Sequence, residues 1–441
     1  MNSFGKELEA AVSFCTLPFS PEKVMKISPA IRMILKKKKG SIVIFCTNDL
    51  VHYYSQNEPL FLSLFDEYAN KFIVPFYYGK QADAEFYGSL RKASSDQPGI
   101  NLVCLQGLGV FAWGETRRTS EMCMNFFLSL VKVNQYRQTN PSFSSAEAQA
   151  YLATTYGTLF FGQTGDGGPL AEKIAVITGA AQGLGEGIAA GLAGDGAYVV
   201  LADINGNAVA ANARALNEQY GPGKALAVRT DVADESQVKQ LVEATVTHYG
   251  GLDIFISNAG ILKAGSLEDM TPADFTLSMQ VNYVAFFLCA RYASIPMKIQ
   301  AEFAPGYFMD IIQVNSKSGL AGSRKNFAYA GSKFGGIGLT ESFALELAEY
   351  NIKVNAVCPG NFFEGPLWSH PDTGLFIQYL KAGKVPGAVT VEDVRRFYES
   401  QVPMRRGCRI SDVVKAILYI IDQEYETGQA VPVTGGQIML K

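Results

Sequence analysis

From about residue 166 onward, seven apolar runs alternate with long amphipathic stretches. The runs are Ile174–Thr178, Tyr198–Ala202, Ala225–Thr230, Asp253–Ser257, Asp310–Asn315, Ile352–Val357 and Ala430–Val433. Most are rich in Val and Ile and are continuous rather than alternating, as in strands covered on both faces. Helical segments separate them, so the pattern predicts an α/β fold with a parallel, doubly wound sheet. Before residue 165 the pattern is less regular. Ser41–Cys46, Phe72–Phe76 and Asn101–Leu105 read as strands; Asn57–Asn70, Asp83–Ser94 and Arg118–Tyr136 read as helices. The stretch Gln163-Thr164-Gly165-Asp166-Gly167-Gly168-Pro169 is dense in turn formers and reads as a linker. Two domains are therefore expected, a smaller α/β one over 1–165 and a larger one over 166–441.

Composition narrows the functional classes. Apolar residues make up 48% of the 441 residues and charged residues 18%, enough to build substantial cores and too apolar for a disordered chain. Lys and Arg number 38 against 41 Asp and Glu, so no general attraction to nucleic acid or anionic membranes is expected. No apolar run approaches the ~18 residues of a membrane helix. The N-terminal stretch, with Lys6, Glu7 and Glu9, makes a poor signal peptide. Seven cysteines without a Cys-x-x-Cys pair suggest thiols in a reducing cytoplasm. His52, His248 and His370 are too scattered for a zinc cluster, and no metal is expected. The short basic run Lys36–Lys39 reads as a solvated loop.

The first strand of the larger domain runs directly into Thr178-Gly179-Ala180-Ala181-Gln182-Gly183-Leu184-Gly185, and a helix (Glu186–Ala193) follows. Strand, glycine turn and helix in that order build a pyrophosphate site. Gly179 permits the tight turn, Gly183 removes a side chain where phosphate approaches, and Gly185 lets the helix pack closely. The second strand ends at Asp203, 18 residues past Gly185. A carboxylate there accepts hydrogen bonds from ribose hydroxyls and repels a 2′-phosphate, which favours NAD over NADP. Asp231-Val232 closes the third strand, where adenine would lie. Asn258-Ala259-Gly260 closes the fourth, near the second ribose.

Tyr329-Ala330-Gly331-Ser332-Lys333 opens a long helix reaching to about Glu349. Spacing of i to i+4 puts the phenol and the ammonium on one face. A nearby ammonium is expected to lower the phenol by roughly 1–3 units, towards the range useful for proton transfer. Ser316 closes the fifth strand, where its hydroxyl can meet a substrate oxygen, and Asn282 precedes an apolar helix. A buried Asn must find partners, and a water between it and Lys333 would form a proton path.

Taken together, these residues resemble the short-chain dehydrogenase/reductase family over about 170–441, with a Rossmann-like fold. The resemblance extends to Pro359-Gly360 and to Thr427-Gly428-Gln429 and Thr434-Gly435-Gly436. It implies that Tyr329 is the acid/base and that Lys333 binds the nicotinamide ribose. It also implies that Ser316 polarises the substrate oxygen, that Asn282 holds the relay water, and that the protein is a homodimer or homotetramer. Within the family, Asn315-Ser316-Lys317-Ser318-Gly319, Gly322-Ser323 and Val402-Pro403-Met404-Arg405-Arg406-Gly407-Cys408 resemble the branch that oxidises sorbitol 6-phosphate to fructose 6-phosphate with NAD. A phosphorylated sugar alcohol needs cations near the tyrosine, and Lys317, Arg324 and Lys325, with Arg405 and Arg406 behind them, lie in segments bordering the substrate side. One departure is that Asn361-Phe362-Phe363-Glu364 follows Pro359-Gly360, where the family often has a Thr against the nicotinamide amide. A different polyol or ketone as substrate, or a non-catalytic NAD-binding regulator, stays open.

Ile100–Thr116 and Ile44–Val51 resemble strands of a class II aldolase/adducin-type domain. In that family, histidines at two places here taken by Asn48 and Leu108 bind zinc. Leu cannot ligate a metal and Asn is a poor zinc ligand. The first domain is therefore expected to be a non-catalytic relative that makes oligomer contacts or covers part of the dehydrogenase. A working aldolase fused to a dehydrogenase is the alternative.

Overall fold

The computed structural model describes residues 8, 12, 14–15, 17–36, 41–66, 73–80, 82–156, 168–372, 374–381 and 383–439. Most of the linker at 163–169, Lys37–Lys39, Phe72 and the end of the helix expected to reach Asn70 lie outside them. By backbone contacts the chain forms two compact units. Unit 1 holds Met1–Glu172 with Glu243–Gly251 and Glu302–Ala304, and unit 2 holds the remainder from Lys173.

Unit 1 is built on a four-stranded sheet. Its elements are α1 (Pro21–Leu35), β1 (Ile42–Cys46), α2 (Asp49–Tyr54), α3 (Glu58–Asp66), β2 (Pro75–Tyr78), α4 (Ala84–Asp96), β3 (Leu102–Leu105), β4 (Gly109–Gly114), α5 (Arg117–Thr139) and α6 (Ser145–Tyr156). The strand order is β1-β4-β3-β2. β3 and β4 form the antiparallel pair read within 100–116, and β2 lies parallel to β3. One face packs on α5 and α6 through Leu102, Cys104, Val110 and Phe127. The other packs on α1 and α4 through Ile27, Ile31, Val103 and Phe86. The segment Ile44–Val51 is a strand only to Cys46. Asn48 then caps α2, its side-chain oxygen accepting the Val51 N–H at 2.8 Å. His248, in this unit, is half-buried, and burial with the neighbouring Arg117 pushes its imidazole down to about 3, so it is neutral at pH 7.

Unit 2 is the doubly wound sheet. Its order is β11-β10-β9-β8-β5-β6-β7, with every neighbouring pair parallel. The strands are β5 (Ile174–Thr178), β6 (Tyr198–Asp203), β7 (Ala225–Arg229), β8 (Ile254–Ser257), β9 (Met309–Val314), β10 (Ile352–Pro359) and β11 (Ala430–Val433). The seven runs read from the sequence are these strands, shifted by at most two residues at an end. The helices are α7 (Gly183–Gly194), α8 (Gly206–Tyr220), α9 (Glu235–Tyr249), α10 (Pro272–Met279), α11 (Ala285–Phe303), α12 (Phe327–Leu347), α13 (Pro366–Ser369), α14 (Leu375–Lys381), α15 (Val391–Ser400) and α16 (Ile410–Asp422). Strand order reverses between β5 and β8, so a crevice opens at their carboxyl ends, where open α/β sheets bind ligands. Between β10 and α16 the chain makes a helical excursion. Phe363, Trp368, Phe376, Val394 and Val402 give it an apolar core of its own.

Among the described residues no helix is long and apolar enough to cross a membrane. No group of three His, Cys, Asp or Glu is placed to hold a metal ion among them either.

Candidate active site

The glycine turn sits at the point of strand reversal. Gly179 has φ +67°, and a Cβ on it would lie 2.8 Å from the Ala259 Cα and from the Asn258 side-chain nitrogen. No side chain fits there, which explains the glycine. Asn258 ties the turn down: its amide donates to the carbonyls of Thr178 at 2.9 Å and Gly179 at 3.1 Å. The Thr178 hydroxyl in turn accepts the N–H groups of Asn258 and Ala259 at 3.0 and 3.1 Å. Asn258 therefore spends its amide on building the turn. Gly185, at the start of α7, packs directly on the Gly179 carbonyl.

The residues present fit a dinucleotide. Gly183 also has positive φ, and a Cβ there would meet only Pro366, at 3.7 Å, so the cradle is open. Gln182, the residue before α7, offers no side-chain cap, whereas Asn205 caps α8 and Thr271 caps α10. The first-turn N–H groups of α7, including that of Leu184, remain available to phosphate oxygens. Asp203 ends β6 and turns back to the loop, accepting the Ala181 N–H at 3.2 Å and the Asn205 N–H at 2.9 Å. Asp231 accepts the Ala233 N–H at 2.9 Å, and Val232 beside it is buried.

The catalytic candidates converge on the same edge. α12 carries Tyr329 and Lys333, and the Lys333 Nζ lies 5.6 Å from the centre of the Tyr329 ring. The ammonium is buried and donates to the Val314 carbonyl at 2.9 Å. A Cβ on Gly260 would lie 3.1 Å from the Asn282 side-chain oxygen and 3.8 Å from the Lys333 Nζ, so the loop after β8 touches both groups. Asn282 lies in a π-turn, Gln280–Val284, between α10 and α11. Such widened turns recur at functional sites. Its side chain accepts the Ile261 N–H at 2.8 Å and donates to the Ile261 carbonyl at 2.9 Å and the Ser332 hydroxyl at 3.1 Å. Ser316 follows β9. Its hydroxyl accepts the Ser318 N–H at 3.1 Å, which leaves the hydroxyl proton for another acceptor, and it is hydrogen-bonded to Tyr329.

The electrostatics correct one expectation. Burial pushes the Tyr329 phenol up from its ordinary value, and only the Ser316 hydrogen bond draws it down. The ammonium, over the ring at 5.6 Å from its centre, donates instead to the Val314 carbonyl, and burial dominates at the phenol. Burial instead lowers Lys333, to about 8. The Cys358 thiol, at the end of β10, borders both groups and is pushed up to about 11, so it stays neutral.

Two positioning residues escaped the sequence reading. The Asn315 amide donates to Gln313 at 2.7 Å and to the Lys333 carbonyl at 2.9 Å, and its oxygen accepts the Ser316 N–H at 2.8 Å. Gln313 and Asn315 thus lock Ser316 and Lys333 together. The available signal was two amides in the otherwise apolar run Ile311-Ile312-Gln313-Val314-Asn315.

The basic candidates separate. Arg406 makes a bidentate pair with Asp412 at 2.6 and 3.0 Å. Arg405 donates to the Ser400 carbonyl at 2.7 Å. Lys325 is exposed; hydrogen bonds lower the Glu268 and Asp269 carboxyls, from its own N–H and then Ser266 at Glu268 and from Ser266 at Asp269, and the nearby Lys325 ammonium adds to this. Arg324 is exposed. Lys317 is half-buried in the short turn Lys317–Gly319 that follows Ser316. Pro359 ends β10, and the Gly360 N–H donates to the Val433 carbonyl at 2.9 Å. The departure just beyond has a packing reason: Phe363, 1% exposed, packs edge-on against Trp368 and tilted against Phe376 at the centre of the helical excursion.

The short chain dehydrogenase family profile matches residues 173–366. Sorbitol-6-phosphate 2-dehydrogenase of Escherichia coli K12 is 38% identical over 271 residues, which cover 61% of this chain and 99% of that protein. The crystal structure of sorbitol-6-phosphate 2-dehydrogenase from Erwinia amylovora superposes with a TM-score of 0.56 at 38% identity, covering 60% of this chain and all of that one. A 3-ketoacyl-(acyl-carrier-protein) reductase from Brucella melitensis, solved with NADH, superposes with a TM-score of 0.52 at 28% identity over 61% of this chain and 99% of that one. On the site geometry and these similarities, the chain belongs to the short-chain dehydrogenase family of oxidoreductases.

Proposed function

We propose that the protein is an NAD-dependent dehydrogenase interconverting a phosphorylated sugar alcohol and its ketose phosphate, sorbitol 6-phosphate and fructose 6-phosphate. The observation that carries the chemistry is the placing of Tyr329, Ser316, Lys333 and Asn282 beside the glycine turn. Identity of 38% along the whole length of a sorbitol-6-phosphate 2-dehydrogenase supports the substrate. The bound nicotinamide supplies the hydride acceptor. Ser316 donates its hydroxyl to the substrate oxygen, and Tyr329 takes the carbinol proton. Lys333 holds the nicotinamide ribose and passes charge and proton towards Asn282 and solvent. Gly179, Gln182, Gly183, Leu184 and Gly185 cradle the pyrophosphate. Asp203 receives the ribose hydroxyls and disfavours a 2′-phosphate. Asp231, Val232, Asn258, Ala259, Gly260, Pro359 and Gly360 line the rest of the cofactor site. Lys317 and Arg324 are the cations left for a substrate phosphate.

The same reading makes unit 1 a non-catalytic relative of class II aldolase/adducin domains. Asn48 supports this, because its oxygen is already spent on capping α2. The protein is read as a homodimer or homotetramer, supported by exposed Phe287 and Ile295 on α11 and Phe334 and Leu345 on α12. A cytoplasmic setting is supported by seven cysteines that all remain free thiols.

The test is NADH absorbance on mixing the protein with sorbitol 6-phosphate and NAD, with NADP in parallel. Turnover with NAD well above that with NADP is expected. Absence of turnover with every hexitol phosphate rejects the substrate.

A further inference from the structure

We infer that Lys317 is the residue that reads the substrate's phosphate, and so sets the preference for phosphorylated over free sugar alcohols. This inference rests on the function proposed above and adds the specificity determinant of that site.

The five cations expected from the sequence to border the substrate side differ in what already satisfies them. Arg406 is held by both oxygens of Asp412. Arg405 is turned to the Ser400 carbonyl, from a backbone at φ +56°. Lys325 lies in the field of Glu268 and Asp269, and its own carbonyl accepts the Gly265 N–H at 2.9 Å. Arg324 is exposed, so water satisfies its guanidinium. Lys317 is half-buried, as Arg406 is, but among the described residues its ammonium has no carboxylate, carbonyl or ring as partner. The neighbouring buried lysine, Lys333, does have one, the Val314 carbonyl.

An ammonium withdrawn from water without a partner is costly. Its persistence is explained when the missing charge arrives with a ligand. The location selects the ligand. Lys317 opens the turn capped by Ser316, the residue that meets the reacting oxygen, and this turn packs against α12 and β10. The burial that leaves the ammonium unpaired also lowers its proton affinity, as expected of a cation awaiting an anion. A phosphate supplies several acceptor oxygens and about two negative charges near neutral pH. It sits at the far end of the substrate from the reacting carbon, so its capture stabilises ground state and transition state alike. Loss of such uniform binding raises KM and spares kcat.

The test compares wild type, Lys317→Met and Lys317→Arg with sorbitol 6-phosphate and with free sorbitol. It also measures inhibition of sorbitol oxidation by inorganic phosphate, and NADH affinity by fluorescence. Wild type should prefer the phosphorylated substrate. In the Met variant, kcat/KM for sorbitol 6-phosphate should fall about 10- to 100-fold, almost wholly through KM. Activity on free sorbitol and NADH affinity should stay within about twofold, and phosphate should inhibit less well. The Arg variant should recover most of the loss. An equal fall on both substrates, or a fall in kcat with KM unchanged, assigns Lys317 to the scaffold and overturns the inference. So does an unchanged KM for sorbitol 6-phosphate, which places the phosphate elsewhere. If wild type shows no preference for phosphorylated over free polyols, the substrate reading fails first, and that is seen before any variant is made.

Discussion

Asn48 in unit 1 and Asn282 in unit 2 are both buried, 5% and 3% exposed, and both lie at the start of helical structure. Their hydrogen bonds separate them. Asn48 satisfies its oxygen within its own turn, at the Val51 N–H three residues on. Asn282 reaches across the fold, to Ile261 21 residues away and to Ser332 50 residues away. A cap is a local solution that any short polar side chain supplies. A bridge between three segments requires the finished fold. Of the two buried asparagines, the one proposed to serve the chemistry is the one whose partners are distant in sequence and which shares the Gly260 loop with the Lys333 ammonium.

The sharpest way to break this contrast is to remove the group proposed to take the proton. Tyr329→Phe should lower turnover by at least 10²–10⁴-fold, the usual worth of a positioned proton-transfer group. NADH affinity should stay within about twofold, since the ring remains. Retained turnover would take the acid/base role from Tyr329. The pH profile sharpens the same point. Lys333 sits at about 8 and Tyr329 above its ordinary value, so the proton-accepting form becomes more populated as pH rises. Alcohol oxidation should therefore climb between pH 6 and 9, with an apparent pKa that belongs to the pair. A flat profile would separate the rate from these two groups.

A second contrast lies within unit 2, between Lys333 and Lys353. Both are buried. Lys353 pairs with Asp310 at 3.0 Å and donates to the Ile420 and Gln423 carbonyls, at and just beyond the end of α16. Burial pushes the Asp310 carboxyl up to about 6, with Lys353 working against that rise. Lys353 is thus a helix cap and counter-ion at the strand starts, away from the chemistry. Lys353→Met should destabilise unit 2 by about 3–5 kcal/mol, the cost of leaving a buried carboxylate unpaired. Adding Asp310→Asn should restore much of that loss. Urea unfolding measures both. A single variant as stable as wild type would show that the pair is not what holds α16 to the sheet.

The sequence made some of this legible. β5 has the limits read from its apolar run, because a parallel strand buried on both faces leaves a continuous Val/Ile signature; the short edge strand β11 matches its run as well. The placement of Tyr329 and Lys333 on one helix, of Ser316 just past β9 and of Asn282 before α11 was legible because their spacing is set by rigid elements. α1 was not read: Pro29 interrupts its pattern, and its fully buried Arg32 has no apolar signature. The excursion between β10 and α16 was also opaque. Phe363, Trp368 and Phe376 cluster only once three short helices have folded back on one another, which no period along the chain announces. The phenol's electrostatics were misread because spacing reports which groups share a face. It does not report that the ammonium turns to the Val314 carbonyl and leaves burial to dominate at Tyr329.

The smallest expected effect tests the other half of the comparison. If Asn48 is only a cap, Asn48→Ala should cost about 1 kcal/mol of stability. It should leave dehydrogenase turnover and NADH affinity unchanged. Zinc analysis of the same two preparations completes the test. A zinc site needs three or four ligands at about 2.0–2.3 Å. Asn48 already commits its oxygen to Val51, and Leu108, half-buried against the core of unit 1, has no donor atom to offer. Both proteins should therefore carry zinc well below one per chain. Stoichiometric zinc in wild type that disappears in Asn48→Ala would make Asn48 a ligand and unit 1 a second catalytic centre. A cap that costs its turn about 1 kcal/mol and nothing else keeps the two buried asparagines in different classes.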